Sequence, residues 1–154
     1  MYNENELSKL IMQNQIQEVI KTNDYTDKFG LSLSKEEANQ LIVSRGEALK
    51  EQQRIEFGEG ILPKLIFEFC DSPFIYQDNY VETLQRLQEI FYLFKNESLD
   101  EVSDDELIHF MKQEYEGKCE GSLDNLEDTS LEEFARQVRA GTRKFIGLYG
   151  DDNE

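Results

Sequence analysis

The ten residues Ile61-Leu62-Pro63-Lys64-Leu65-Ile66-Phe67-Glu68-Phe69-Cys70 constrain this chain more than any other stretch. Wound as a helix, Ile61, Leu62, Leu65, Ile66, Phe67, Phe69 and Cys70 cover almost every side of it. A helix apolar all round is stable only when buried, so the pattern predicts the centre of a fold here. Pro63 falls in the first turn, where its missing N–H costs nothing. Asp71-Ser72-Pro73 then reads as a turn, because the residue before a proline is pushed out of the helical region.

Amphipathic helices are the natural cover for such a rod, and the remaining sequence supplies them. Asn3 with Glu6 can cap a first helix whose face reads Leu7, Leu10, Ile11, Val19 and Ile20. Asp24 to Leu33 reads as a connection. Ser34 with Glu37 is a capping box, opening a long helix with Ala38, Leu41, Ile42, Arg45, Leu49 and Ile55 on one stripe, stopped at Gly58-Glu59-Gly60. Asn79 with Glu82 precedes Val81, Leu84, Leu87, Phe91 and Phe94. Ser103 with Glu106 precedes Leu107, Ile108, Met111 and Tyr115. Gly117 to Asp128 reads as a polar connection on which Leu123 and Leu126 pack down. Ser130 with Glu133 opens a last helix carrying Leu131, Phe134, Ala135 and Val138, with Gly141 placed to end it. Alternating strand patterns are scarce and no internal repeat is present. The expectation is an all-α fold: one domain over residues 1–150, five to seven helices around the 61–70 helix, and a frayed acidic tail at 151–154.

At 154 residues the chain has the size of one domain. Ten Phe and seven Tyr supply the buried area that disordered chains lack, although only 38% of residues are apolar. No apolar run reaches the length of a membrane span. Residues 1–6 lack the basic start and apolar stretch of a secretory signal. Two cysteines, Cys70 and Cys119, are too few for a disulfide framework. A cytoplasmic protein is expected.

The formal net charge is −17, and much of it sits in one block: Glu97 to Glu133 holds fourteen Asp or Glu against two Lys. Such a block repels phosphate backbones and anionic membranes and attracts basic surfaces, so neither direct nucleic-acid binding nor membrane binding is expected. Helix first turns account for part of it, since Asp104, Asp105, Glu106, Glu132 and Glu133 follow caps where the helix dipole favours acids. Arg136, Arg139 and Arg143, spaced by three and four, form the counterpart and either clamp an anion or lie against the chain's own acids. The candidate interaction surface is Asp104, Asp105, Glu114, Glu116 and Glu120 with Arg136, Arg139 and Arg143.

Arg45 falls on an apolar stripe, between Leu41/Ile42 and Leu49 and beside a mid-helix Gly46 that suggests close helix approach. A buried arginine must find carboxylates or carbonyls, and Glu56, Glu59, Glu68 and Asp71 are available. A candidate pocket therefore joins Arg45, Arg54, Glu56 and Glu59 to the helix start at Ile61, with Tyr76 or Tyr80 from the next segment. Gly58-Glu59-Gly60 lacks the spacing of the phosphate-binding motifs. Cys70, His109 and Cys119 are the only soft metal ligands, and Glu106 with His109 is a single Glu-x-x-His pair without a second histidine. No catalytic, metal-binding or cofactor-binding residues are assigned, and no cofactor is expected.

Arg54 to Ile66, Phe69-Cys70-Asp71-Ser72-Pro73, Phe94 to Ser98 and Thr129 to Glu133 together resemble a family of small acidic proteins from anaerobic Gram-positive bacteria, known only as a domain of unknown function. The resemblance spans about Leu33 to Gly141. It implies a bacterial cytosolic protein and directs attention to Arg54–Pro73, but transfers no activity. The leading expectation is a non-catalytic interaction or regulatory protein that binds a basic partner or assembles with itself. The alternative is a small-molecule-binding or enzymatic helical domain with its pocket near Arg45 and the Gly58–Gly60 turn.

Overall fold

A computed structural model of the protein describes residues 4–58 and 60–141. The Asn3 cap, Glu59, Arg143, Lys144 and the 151–154 tail lie outside them. The described residues are helical, with no strand. Six helices of eight residues or more form one domain: α1 (Glu4–Lys21), α3 (Lys35–Glu51), α4 (Leu62–Phe69), α5 (Tyr80–Glu97), α6 (Asp104–Glu116) and α8 (Leu131–Arg139). Two short pieces, α2 (Asn23–Thr26) and α7 (Leu123–Asn125), complete the order.

The apolar rod is α4. Ile61, Leu62, Leu65, Ile66, Phe69 and Cys70 are all buried, and the helix packs on α1, α5 and α6. Phe67 departs from the all-round pattern: it points outward, half-exposed, with its ring edge-on to Tyr25 at 5.5 Å. Alongside α4 runs α5, which also touches α3, α6, α7 and α8 and buries Leu84, Leu87, Ile90, Phe91, Tyr92 and Phe94. At its C-terminal half Phe94 meets Phe134 at 5.1 Å and Phe110 at 6.0 Å, so one aromatic knot joins α5, α6 and α8. Lys112 of α6 is stapled to the end of α4, donating to the Glu68 carbonyl at 2.6 Å and pairing with Asp71 at 2.7 Å. A cation is favoured there by the free carbonyls of a helix end.

Two capping boxes form as the sequence predicts. Glu37 N–H donates to Ser34 Oγ at 3.1 Å and Ser34 N–H to Glu37 Oε1 at 2.9 Å; Ser103 and Glu106 repeat the pattern. Two expected caps do not form. Asn79 turns its amide back to Tyr76 N–H and the Phe74 carbonyl, bracing the turn before α5. Ser130 lies inside continuous helix, because Ser122 caps the segment eight residues earlier through Asn125 N–H and a π-turn (Leu126–Ser130) leads directly into α8. The Ser130 hydroxyl instead donates to Glu114 Oε1 at 3.1 Å.

Helix α3 ends at Glu51, not at Gly58. Gln53 N–H reaches the Lys50 carbonyl and Arg54 N–H the Leu49 carbonyl, the double bond of a Schellman cap, with Gln53 rather than glycine in the left-handed region at φ +57°. Ile55 is thereby taken off the α3 stripe into a loop. The N-terminal half of α1 also departs from expectation: Val19 is buried, but Leu7, Leu10 and Ile11 remain exposed.

Gly46 serves no close approach, since a Cβ there would meet nothing within 4 Å. Gly46→Ala is expected to stabilise the protein by about 1 kcal/mol, a rise of roughly 2–4 °C in the thermal midpoint, read by circular dichroism. A fall in the midpoint would show that the backbone at Gly46 is not the plain exposed helix seen here.

Candidate functional site

After α3 the left-handed Gln53 turns the chain out of the helix, and residues 54–57 have no regular secondary structure. Exposure alternates along them. Glu56 turns inward and Ile55 and Phe57 turn outward.

Glu56 meets Arg45, which α3 carries on its buried face at 5% exposure. Arg45 Nε donates to Glu56 Oε1 at 2.9 Å and Nη1 to the Gly58 carbonyl at 2.8 Å. The Tyr92 hydroxyl, from buried α5, donates to the same Glu56 oxygen at 2.5 Å. Burial first, then the bond to the Glu56 carboxylate, pushes the Tyr92 pKa far up, so its proton stays in place. Arg45 Nη2 has no hydrogen-bond partner among the described residues. Gly60, at φ +62°, closes the space: a Cβ there would lie 2.0 Å from Glu56 Oε1 and 2.5 Å from Arg45 Nε. The chain therefore packs directly onto the ion pair, and glycine is required both by its backbone angle and by that approach. On the outer side, Gln15 of α1 donates to the Gly58 carbonyl at 2.7 Å.

Arg54 and Tyr76, grouped with Arg45 in the sequence reading, go elsewhere. Arg54 bridges to Asn96 Oδ1 and Asp100 Oδ1, both at 2.6 Å, tying the loop to the turn after α5 and holding the Asp100 carboxyl below the usual carboxylate range. Tyr76 is exposed at the entry to α5. Of the candidate pocket, then, Arg45 and Glu56 are brought together, with Tyr92 an unforeseen third member.

The clamped segment carries two apolar side chains almost wholly in water, Ile55 at 85% and Phe57 at 88% exposure. Leu99, beside the Arg54-bound Asp100, is a third at 68%; Leu99 and Asp100 both sit in the left-handed region, φ +58° and +61°. Leu7 and Ile11 of α1 lie at four-residue steps before Gln15, the residue bonded to Gly58, so an exposed apolar stripe leads toward the same loop.

The acidic surface is largely self-paired. Asp104 binds Lys95 and Asp105 binds Lys64, each at 2.9 Å; Glu114 holds Lys118 and Ser130, and Glu116 faces Lys112 at 3.6 Å. Glu120 is exposed with φ +47°. Arg139 reaches Glu97 at 3.5 Å, as expected of arginines lying against the chain's own acids, while Arg136 stays exposed on α8. His109 pairs with Glu68 at 3.3 Å, and among the described residues no group of three His, Cys, Asp or Glu could hold a metal ion.

Removing one partner of a buried pair strands the other's charge. Arg45→Met is expected to lower unfolding free energy by about 3 kcal/mol in urea titration, and Gly60→Ala to destabilise in the same direction. A loss below about 0.5 kcal/mol for Arg45→Met, the range of a plain surface substitution, would show that the pair does not hold the loop. Burial also raises the thiol pKa of both Cys70 and Cys119. At pH 8 iodoacetamide is therefore expected to label the folded protein far more slowly than the urea-unfolded chain; equal rates would contradict the buried placement.

No helix among the described residues is long and apolar enough to cross a membrane. No curated protein and no solved structure matches the chain. Residues 18–144, further toward the N-terminus than the motifs suggested, match a family of unknown function, DUF6323, and the chain belongs to that family.

Proposed function

We propose that this is a non-catalytic interaction protein that docks a basic protein partner through the 54–58 loop and the apolar side chains around it. One observation carries the reading: a buried arginine, a carboxylate and a tyrosine hydroxyl hold in fixed conformation a segment whose two large apolar side chains face water. Exposed Ile and Phe on a rigid segment cost solubility and contribute nothing to the core, but they are the kind of anchors that dominate interfaces.

The net charge favours a basic partner over a second copy. Two molecules at −17 each repel, whereas a basic surface gains steering and register from the acids that are not internally paired. The two free buried cysteines suit a reducing, cytoplasmic setting, and a bacterial cytosolic origin accords with the motif resemblance. The alternative of a small-molecule pocket at Arg45 loses support because Gly60 and the loop fill the space over the ion pair.

Affinity capture from the native cell tests this. Ile55→Ser with Phe57→Ser is expected to leave the thermal midpoint within what about 0.5 kcal/mol per exposed site produces while reducing partner capture at least tenfold. Capture by the unchanged protein is expected to fall as sodium chloride rises from 50 to 500 mM, because exposed charge pairs are screened. Capture insensitive both to salt and to the double substitution would overturn the reading. Dimerisation lost in the double variant would shift it to self-assembly.

A further inference from the structure

A second feature lies at the other end of α5, independent of the 54–58 loop. Glu82, Arg86 and Glu89 share one face of that helix and form a wall of a groove of about 510 Å³. Phe74 and Tyr115, edge to face at 5.9 Å, line it with their rings, and Gly121 and Leu123 close the far side. Gly121 sets that side: at φ +83° its position brings the backbone so close to Phe74 that a Cβ would lie 2.5 Å from the ring.

The charges in this groove do not balance. Arg86, the one cation lining it among the described residues, already binds Asp124 at 3.2 Å and Glu127 at 2.9 Å. Glu82 and Glu89 have no hydrogen-bond or ion-pair partner among the described residues. Burial raises the Glu89 pKa, against the pull of Arg86 and with smaller pushes from Glu127 and Glu51.

Two hydroxyls add an observation independent of the acids. Thr83 and Tyr115 line the groove at 4% and 1% exposure, and their hydroxyls make no hydrogen bond among the described residues. They are not sealed away either, since the buried side-chain atoms cut off from water without a partner are Arg45 Nη2, Tyr80 OH and Gln88 Oε1. As residues lining the groove, they offer hydroxyls without a protein partner to whatever fills it.

These groups specify the occupant. The surplus of carboxylates excludes an anion. Glu82 and Glu89 are seven residues apart, about 10 Å along the helix, and among the described residues no group of three His, Cys, Asp or Glu could hold a metal ion. That separation instead suits an elongated molecule with a positive group at each end. Its aliphatic middle would lie on Phe74 and Tyr115, and its N–H groups would reach the hydroxyls on the way. We propose that this groove binds an organic cation of the alkylpolyamine or alkylguanidine class, gripped by Glu82 and Glu89 and hydrogen-bonded by Thr83 and Tyr115.

Calorimetric titration of the full chain with spermidine tests this, in 150 mM sodium chloride so that diffuse attraction to an acidic protein is screened. One saturable site per chain is expected. Glu82→Gln with Glu89→Gln should weaken it at least tenfold, Tyr115→Phe and Thr83→Val severalfold each, and Glu47→Gln, on exposed α3 surface, not at all. Glutarate should not bind. A short acetylated Lys-Gly-Lys peptide amide distinguishes the source of the cation: tighter binding than spermidine assigns the groove to lysine side chains of a partner, weaker binding to a free polyamine. Absence of saturable binding, or binding that Glu47→Gln weakens as much as the groove pair does, would overturn the proposal. Ile55→Ser with Phe57→Ser should bind spermidine normally, so this result and the loop's docking role fail separately.

Discussion

The ion pair between Arg45 and Glu56 is the interaction on which the most unusual part of this molecule depends. A charge that deep in a helical bundle is costly unless paired and hydrogen-bonded. Here a single carboxylate oxygen takes both the Arg45 Nε–H and the Tyr92 hydroxyl, while the guanidinium also bonds the Gly58 carbonyl. Three elements, α3, the loop that follows it and the sequence-distant α5, converge on one oxygen atom. An apolar core of the same volume would hold α3 to α5 as well, but it would not fix the backbone of residues 54–58, which has no helix or strand ladder of its own. Only a directional contact does that.

Much of the architecture was legible in the sequence because it rests on period and caps. The apolar run 61–70 is a buried helix, the Ser34 and Ser103 boxes form, and Gly141 sits at φ +70° just past α8. The misreadings share a cause: a local signal was displaced by a cap or turn formed nearby and held by further contacts. Ser130 resembles a cap, but Ser122 starts the helix earlier and frees Ser130 to bond Glu114. Ile55 continues the period of α3, but Gln53 adopts a left-handed angle normally left to glycine, and Arg54 finds Asn96 and Asp100. No residue pattern within a few positions of Gln53 announces that reversal.

Arg45 was legible for a different reason. A permanent cation on an apolar stripe breaks the pattern that surrounds it, and such breaks concentrate where function or directional structure overrides packing. Its partner could be narrowed to nearby acids but not chosen, since the choice depends on how the loop crosses the bundle end. Tyr92 could not be foreseen, because a buried tyrosine on α5 reads as one more apolar residue. The groove at Glu82 and Glu89 was hidden likewise: both fall on what reads as the solvent face of α5, and only Phe74 and the Gly121 turn give that face a second wall.

The loop and the groove share α5, the former tied to Tyr92 and Asn96 and the latter to Glu82 and Glu89. Between them that helix runs through the aromatic core as a rigid rod, so the geometry of each end is set by the same packed element. The two ends differ in chemistry. One spends its charges internally and shows apolar groups to water; the other buries aromatic rings and leaves its carboxylates unpaired. Over the whole chain 33 acids face 16 lysines and arginines, so carboxylates without a cation are common on this molecule. What is particular to the groove is that two of them stand on one helix face beside two largely buried hydroxyls and two aromatic rings.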